Sequence, residues 1–256
     1  MKLGVSILPF IDKPFKEAVS FISEAGVTYL ELLDEARIRL NKERIRVLEQ
    51  LKSTLNLNYT LHAPFVDINV ASFNPYMRLA ALRYLESSLH HASKLECAIW
   101  VLHAGYYPHP KTVKRAYEIS LKSIEYLARK AEGLGLTVAV ENGSTDFNYL
   151  FVKAEDFERY FQRLEGLNNV KVCLDVGHAN TAGQINEFLK RLSSRIAHVH
   201  VHDNHGSSDE HLPLYEGNVD WKGFLTELSR LGFEGVVVVE TMSNPLKSLQ
   251  LLESLL

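Results

Sequence analysis

The feature that most restricts this chain is an alternation, from end to end, of short β-rich runs with longer segments of helical period. The β-rich runs fall at 2–8, 28–33, 57–62, 98–103, 136–141, 170–175, 196–202 and 235–240. Between and after them, apolar residues recur at helical spacing over Lys13–Ala25, Asn41–Leu55, Pro75–Leu95, Lys111–Gly133, Lys153–Leu164, Gln184–Leu192, Trp221–Leu231 and Pro245–Leu255. Eight such units in 256 residues give 256/8 = 32 residues each, enough for a right-handed βαβ crossover. No Ser-, Pro- or Gly-rich linker interrupts the series. The chain is therefore read over 1–256 as one α/β domain, a closed (β/α)8 TIM barrel. An open, doubly wound sheet would alternate in the same way but would usually carry a glycine-rich first turn. The first turn here is Leu8-Pro9-Phe10-Ile11-Asp12, and neither G-x-G-x-x-G nor G-x-x-x-x-G-K-[ST] occurs, so nucleotide-phosphate cradles have no support.

Composition narrows the class further. With 46% hydrophobic and 23% charged residues the chain can bury a large interior. Its longest uninterrupted apolar run, Cys97 to Leu102, is six residues, far below the roughly 20 that a membrane helix needs. The N-terminus enters strand-like sequence at once without a small-residue cleavage site, so a cytoplasmic location is expected. Cys97 and Cys173 each lie inside apolar segments, which suits reduced core thiols better than a disulfide. Lys plus Arg number 28 against 31 Asp plus Glu, a net charge of 28 − 31 = −3, so nucleic acid binding would need a local basic patch. Nothing in the composition forbids a homo-oligomer.

In such a barrel the C-terminal ends of the strands meet in one mouth, so residues there converge although distant in sequence. Strand three ends in His62, strand four in His103, strand five in Glu141, strand six in Asp175, strand seven near His200 and strand eight in Glu240. Alternation directs Glu141, Asp175, His200 and Glu240 toward the barrel axis, with His198 and His202 sharing the parity of His200. His178 follows Asp175 by three residues, and Asp209 and His211 lie in the loop after strand seven. Three carboxylates and several imidazoles in one mouth would repel or strand one another without a cation, which favours a divalent metal. Other titratable groups have plainer readings. His90, His91 and His109 suit a solvated surface, His198 a filler of the barrel interior, and His202 or His205 a loop. Arg37, Arg39, Lys42, Arg44 and Arg46 read as the exposed face of helix two, and Glu31 as a residue that either reaches the mouth or pairs on the rim.

These residues sit in segments that resemble the xylose-isomerase-like TIM-barrel superfamily, which contains sugar isomerases and epimerases and also endonuclease IV. The carriers are His62-Ala63-Pro64-Phe65, His103-Ala104-Gly105, Val140-Glu141-Asn142, Leu174-Asp175-Val176-Gly177-His178-Ala179, His198-Val199-His200-Val201-His202-Asp203-Asn204, Asp209-Glu210-His211-Leu212-Pro213 and Val239-Glu240-Thr241. For relatives of the tagatose or psicose epimerase type, the resemblance implies one Mn²⁺, Mg²⁺ or Co²⁺ on Glu141, Asp175, His200 and Glu240. For endonuclease IV it implies three zinc ions that also use His62, His103, His178, Asp209 and His211. Two departures bear on substrate. Tyr215 replaces the first glycine of an H-L-P-x-G-x-G loop, which is expected to narrow the pocket. Asp209, Glu210 and His211 stand where tagatose-type epimerases carry an arginine, which weakens the case for a free ketohexose.

The resulting expectation is a metal-dependent isomerase or epimerase of a small sugar, sugar phosphate or related hydroxycarbonyl compound, holding one to three ions. Glu141 and Glu240 are the acid/base pair, His178 orients a substrate oxygen, and Phe65 and Tyr215 border the substrate. The rival expectation is a zinc-dependent phosphodiesterase at abasic DNA, with Phe65 as an aromatic wedge and Arg37 and Arg39 on the backbone. A third is a barrel that binds a sugar without turning it over.

Overall fold

A computed structural model describes residues 1–163 and 166–256. Eight parallel strands close in sequence order into a barrel, β1 (Lys2–Ser6), β2 (Tyr29–Leu33), β3 (Asn58–His62), β4 (Ile99–His103), β5 (Thr137–Glu141), β6 (Val170–Asp175), β7 (Ile196–Val201) and β8 (Val236–Val239), with β8 paired back onto β1. The strands are largely apolar on both faces because both are covered, with Glu31, Thr60, His198 and His200 as buried polar residues on the inner one. One parity, with Ile99, Val101, Ala139 and Cys173, fills the barrel interior. The other, with Leu102, Val140, Val172, Leu174, Val199, Val237 and Val239, packs under the helices.

The helices are α1 (Phe15–Glu24), α2 (Lys42–Leu55), α3 (Pro75–Lys94), α4 (Val113–Glu132), α5 (Ala154–Arg163), α6 (Val176–Thr181), α7 (Ile185–Leu192), α8 (Trp221–Arg230) and α9 (Pro245–Glu253). Their starts are written in local chemistry. The Asn41 side chain accepts from the backbone N–H groups of Glu43 and Arg44, and Asn74 caps α3 the same way, with Pro75 at the first helical position. Each such cap stabilises its helix by about 1 kcal/mol. In α4, Ala116, Ser120, Ile124, Leu127, Ala128 and Ala131 form the buried stripe.

Three differences from the sequence reading have local causes. The first strand stops at Ser6, because Pro9, which has no N–H, sits in a 3-10 turn at Leu8–Phe10. Strand six is followed by two helices, since Asp175 accepts from the His178 N–H and opens the short α6 before α7. His91, read as surface, donates to the fully buried Asp34 at 2.8 Å. The Leu164 end expected for the fifth helix lies outside the described residues. Cys97 and Cys173 are buried and unpaired, as expected. Among the described residues no helix is long and apolar enough to cross a membrane.

Candidate metal centre

The strand ends bring the expected residues together. His62, His103, Glu141 and Asp175 are the last residues of β3, β4, β5 and β6, and His200 lies one residue inside the end of β7. Glu240 falls just beyond β8 but stays registered, since its N–H donates to the Val201 carbonyl at 3.0 Å. Glu141, Asp175, His200 and Glu240 offer ligand atoms that all lie within 4.8 Å of one another. His200 is the hub. Its Nδ1 is 2.9 Å from Glu141 Oε1, 3.3 Å from Glu240 Oε2 and 3.8 Å from Asp175 Oδ2.

Below this inner centre lies Glu31, which reaches neither mouth nor rim. It is fully buried in the barrel, where it meets His200 Nε2 at 3.0 Å, His198 Nε2 at 2.8 Å and the Thr60 hydroxyl at 3.2 Å. A carboxylate only accepts, so the Nε2 of His200 carries a proton and its Nδ1 faces the other three side chains. Burial works against the Glu31 charge, yet His200 and His198 outweigh it and hold this carboxyl well below the usual range. Burial likewise opposes ionisation of Glu141, and His103 and His200 overcome it.

Two further groups flank the centre. His62 Nε2 and His103 Nε2 lie 3.1 and 2.8 Å from Glu141 Oε2, so one carboxylate serves both groups. His62 Nδ1 bonds to the Ala63 carbonyl at 2.8 Å, which turns Nε2 inward. Burial would lower the pKa of His62, but the Glu141 carboxylate raises it to about 9. Phe65 stacks on His103 with ring centroids 5.4 Å apart, and Glu35 fixes its loop by accepting from the Phe65 and Val66 N–H groups. Tyr149, edge-on to His103 at 6.1 Å, and Phe147 beyond it extend this aromatic wall. Neither had a signal in the sequence, since both sit in an irregular loop without periodicity.

The outer group contains His178, Asp209 and His211, and the structure adds His202. Asp209 Oδ2 lies 2.9 Å from His178 Nε2 and 3.4 Å from His211 Nε2. His178 Nδ1 bonds to the Asn142 carbonyl and His211 Nδ1 to the Glu240 carbonyl, at 2.7 and 2.8 Å, so both present Nε2 to Asp209. Burial opposes a proton on His211, and Asp209 outweighs it, giving a pKa of about 9. The loop that carries Asp209 and His211 hangs on Asp203, whose carboxylate accepts from the N–H groups of Asn204, Tyr215 and Val219 and from the indole of Trp221. Tyr215 occupies the left-handed region at φ +68° and is 51% exposed on that loop. His205 is exposed, as expected of a loop residue, whereas His202 is fully buried.

The donor set fits a divalent cation. The inner centre gathers three carboxylates and one imidazole, and Asp175 Oδ2 is buried without a hydrogen-bond partner. Oxygen and imidazole donors in this mixture suit Mn²⁺, Co²⁺, Zn²⁺ or Mg²⁺. Among the described residues no Lys or Arg side chain forms a hydrogen bond or ion pair with these groups. Arg37 donates instead to the Asp12 carbonyl, and Arg44 to the carbonyls of Arg37 and Arg39.

The sequence pattern of the xylose isomerase-like TIM barrel family matches residues 19–255. The chain belongs to that family. Within the family's reach, an uncharacterised protein of Methanocaldococcus jannaschii is 30% identical over 98% of this chain and 96% of its own. A solved structure described as a D-tagatose 3-epimerase-like protein superposes with a TM-score of 0.94 at 29% identity, covering 100% of this chain and 97% of that one. A probable endonuclease 4 of Mycobacterium leprae is 26% identical over 66% of this chain and 68% of its own. The proteins similar to this one thus include both an epimerase-like protein and a probable endonuclease by description.

Proposed function

We propose that this family member is a metal-dependent isomerase or epimerase of a small sugar, sugar phosphate or related hydroxycarbonyl compound. The observation that carries the reading is the convergence of Glu141 and Glu240 on one imidazole nitrogen, 2.9 and 3.3 Å from His200 Nδ1, at the C-terminal end of the barrel strands. One carboxylate takes the proton from the carbon next to the substrate carbonyl, and the other or the same group returns it, through an enediolate. A divalent cation held by Glu141, Asp175, His200 and Glu240 would polarise the carbonyl and adjacent hydroxyl and stabilise the charge that develops there. Phe65 supplies an apolar wall beside His103, and Tyr215 borders the entrance. In a one-ion site His178 orients a substrate oxygen. The similarity to the D-tagatose 3-epimerase-like protein supports a sugar as substrate. Buried, unpaired Cys97 and Cys173 suit a reducing, cytoplasmic setting.

A specific observation favours the second reading, a zinc-dependent abasic-site endonuclease. The residues that the endonuclease IV resemblance implies fall into three adjoining groups, around Glu141, His200 and Asp209. Against it stand the net charge of −3 and a site whose side chains engage no Lys or Arg among the described residues. The deciding experiment is turnover of ketoses and their phosphates in D₂O by the metal-loaded enzyme, beside an abasic duplex. We expect deuterium at the carbon next to the carbonyl and an intact duplex. Metal-dependent nicking of the duplex that Glu141→Gln abolishes, with no solvent exchange into any sugar, would reverse the order of the two readings.

A further inference from the structure

His202 is fully buried, yet neither of its ring nitrogens has a hydrogen-bond partner among the described residues. Its Nε2 lies 3.1 Å from Asp175 Oδ1, out of hydrogen-bonding alignment, and 3.5 Å from Asp209 Oδ1. Asp209 Oδ1 is itself buried and unpartnered. Unmet polar atoms of this kind each cost on the order of 1–3 kcal/mol, so two of them facing each other mark a place where a third body belongs.

We propose that His202 is the fourth protein ligand of a metal site shared with His178, Asp209 and His211, and that this is a closed structural site distinct from the inner centre. The four residues offer ligand atoms within 4.8 Å of one another. His178 and His211 already have their Nδ1 atoms tied to backbone carbonyls, which leaves each Nε2 directed at Asp209. The ring of His202 is built into place from two sides. It stacks on His211 at a centroid distance of 3.9 Å, and it presses on Gly177 so closely that a Cβ there would lie 2.0 Å from His202 Cε1. Gly177 is thus the residue that makes room for this imidazole.

Three nitrogens and a carboxylate fill a tetrahedral shell, the arrangement of structural zinc, whereas a catalytic ion keeps one position open. The site ties α6, the end of β7 and the loop from Asp203 to Val219 into one unit. His178 is then committed to the ion and not to substrate. The assignment does not depend on which substrate the mouth takes.

The test is metal content and ligand field in the full chain. Zinc-loaded wild type, dialysed against a weak chelator, should retain an equivalent that His202→Asn releases, with an affinity about 10- to 100-fold lower in the variant. In the cobalt-loaded wild type the outer ion should give the intense visible band of four-coordinate Co²⁺, and this band should weaken in His202→Asn as water enters the opened position. Gly177→Ala should reproduce both effects by displacing the ring. Equal retention and equal spectra in wild type and both variants, or a weak six-coordinate cobalt spectrum in the wild type, would overturn the assignment and leave His202 as a packing residue between His211 and Gly177. A protein that keeps the outer metal but turns over no sugar would tell against the proposed activity alone.

Discussion

The inner centre and the outer cluster share one mouth but are built differently. The inner residues come from the barrel itself, and behind His200 lies a buried carboxylate, Glu31, that fixes which nitrogen faces the centre. The outer residues come from α6, the end of β7 and the loop hung on Asp203, and among the described residues both ring nitrogens of His202 and the Oδ1 atom of Asp209 meet no hydrogen-bond partner. The lesson is that the imidazole of the inner centre is oriented from within the barrel, whereas the outer cluster leaves one whole imidazole, His202, without a protein partner; each centre keeps a buried carboxylate oxygen unpaired, Asp175 Oδ2 in one and Asp209 Oδ1 in the other.

The sharpest way to break this contrast is at the carboxylates of the inner centre. Glu141→Gln and Glu240→Gln should each lower turnover by about 10²-fold or more, because shape is kept while ligation and proton transfer are lost. Circular dichroism should confirm that the fold survives, and full activity in both variants would end the acid/base assignment. Next in size is Glu31→Gln, which touches no substrate. Removing the charge behind His200 should weaken metal binding at the inner centre by about 10- to 100-fold while the outer cluster keeps its affinity. Titration calorimetry that showed both sites weakened equally would mean that the two are not separately built.

A smaller effect is expected from pH in the metal-free protein. His62 and His211 are each raised to about 9 from an ordinary value of 6.5. Burial alone would lower both, and Glu141 and Asp209 respectively reverse it. A folded pKa above the unfolded one gives stability that is complete below about 6.5 and is lost as pH rises through about 9. Tm of the metal-free chain should therefore fall by a few degrees over that window. The loaded protein should fall less, since a cation replaces those protons and binds better as they leave. Identical slopes in both forms would show that the histidines hold no metal.

Much of this was legible in the sequence, for a physical reason. A strand end is marked by where an apolar run stops, and period-2 facing then says which of its last residues enters the barrel, so His62, His103, Glu141, Asp175, His200 and Glu240 could be placed together from pattern alone. Glu31 could not. It interrupts the apolar run of β2, but its partners His198 and His200 lie on β7, across the barrel, and only closure brings them near. His202 shares the facing of His200, yet the sequence alone places it where strand gives way to loop, where it looks no different from the loop histidine His205. What distinguishes the two is Gly177, a residue of a helix that the sequence reading did not resolve from its surroundings. The aromatic wall of Phe147 and Tyr149 was hidden for the same reason as most loop geometry, the absence of any repeating pattern to read.

The pairing of β8 back onto β1 has a kinetic consequence. The inner centre draws its members from β5 through β8, and the Glu31 that orients it comes from β2, so no partial stack of strands presents the full set. A bound ion therefore stabilises the native barrel but little that precedes it on the folding route, and it should slow unfolding while leaving the refolding rate nearly unchanged. For such a protein, resistance to proteolysis in the cell would be set less by the barrel's own cohesion than by how long the ions stay.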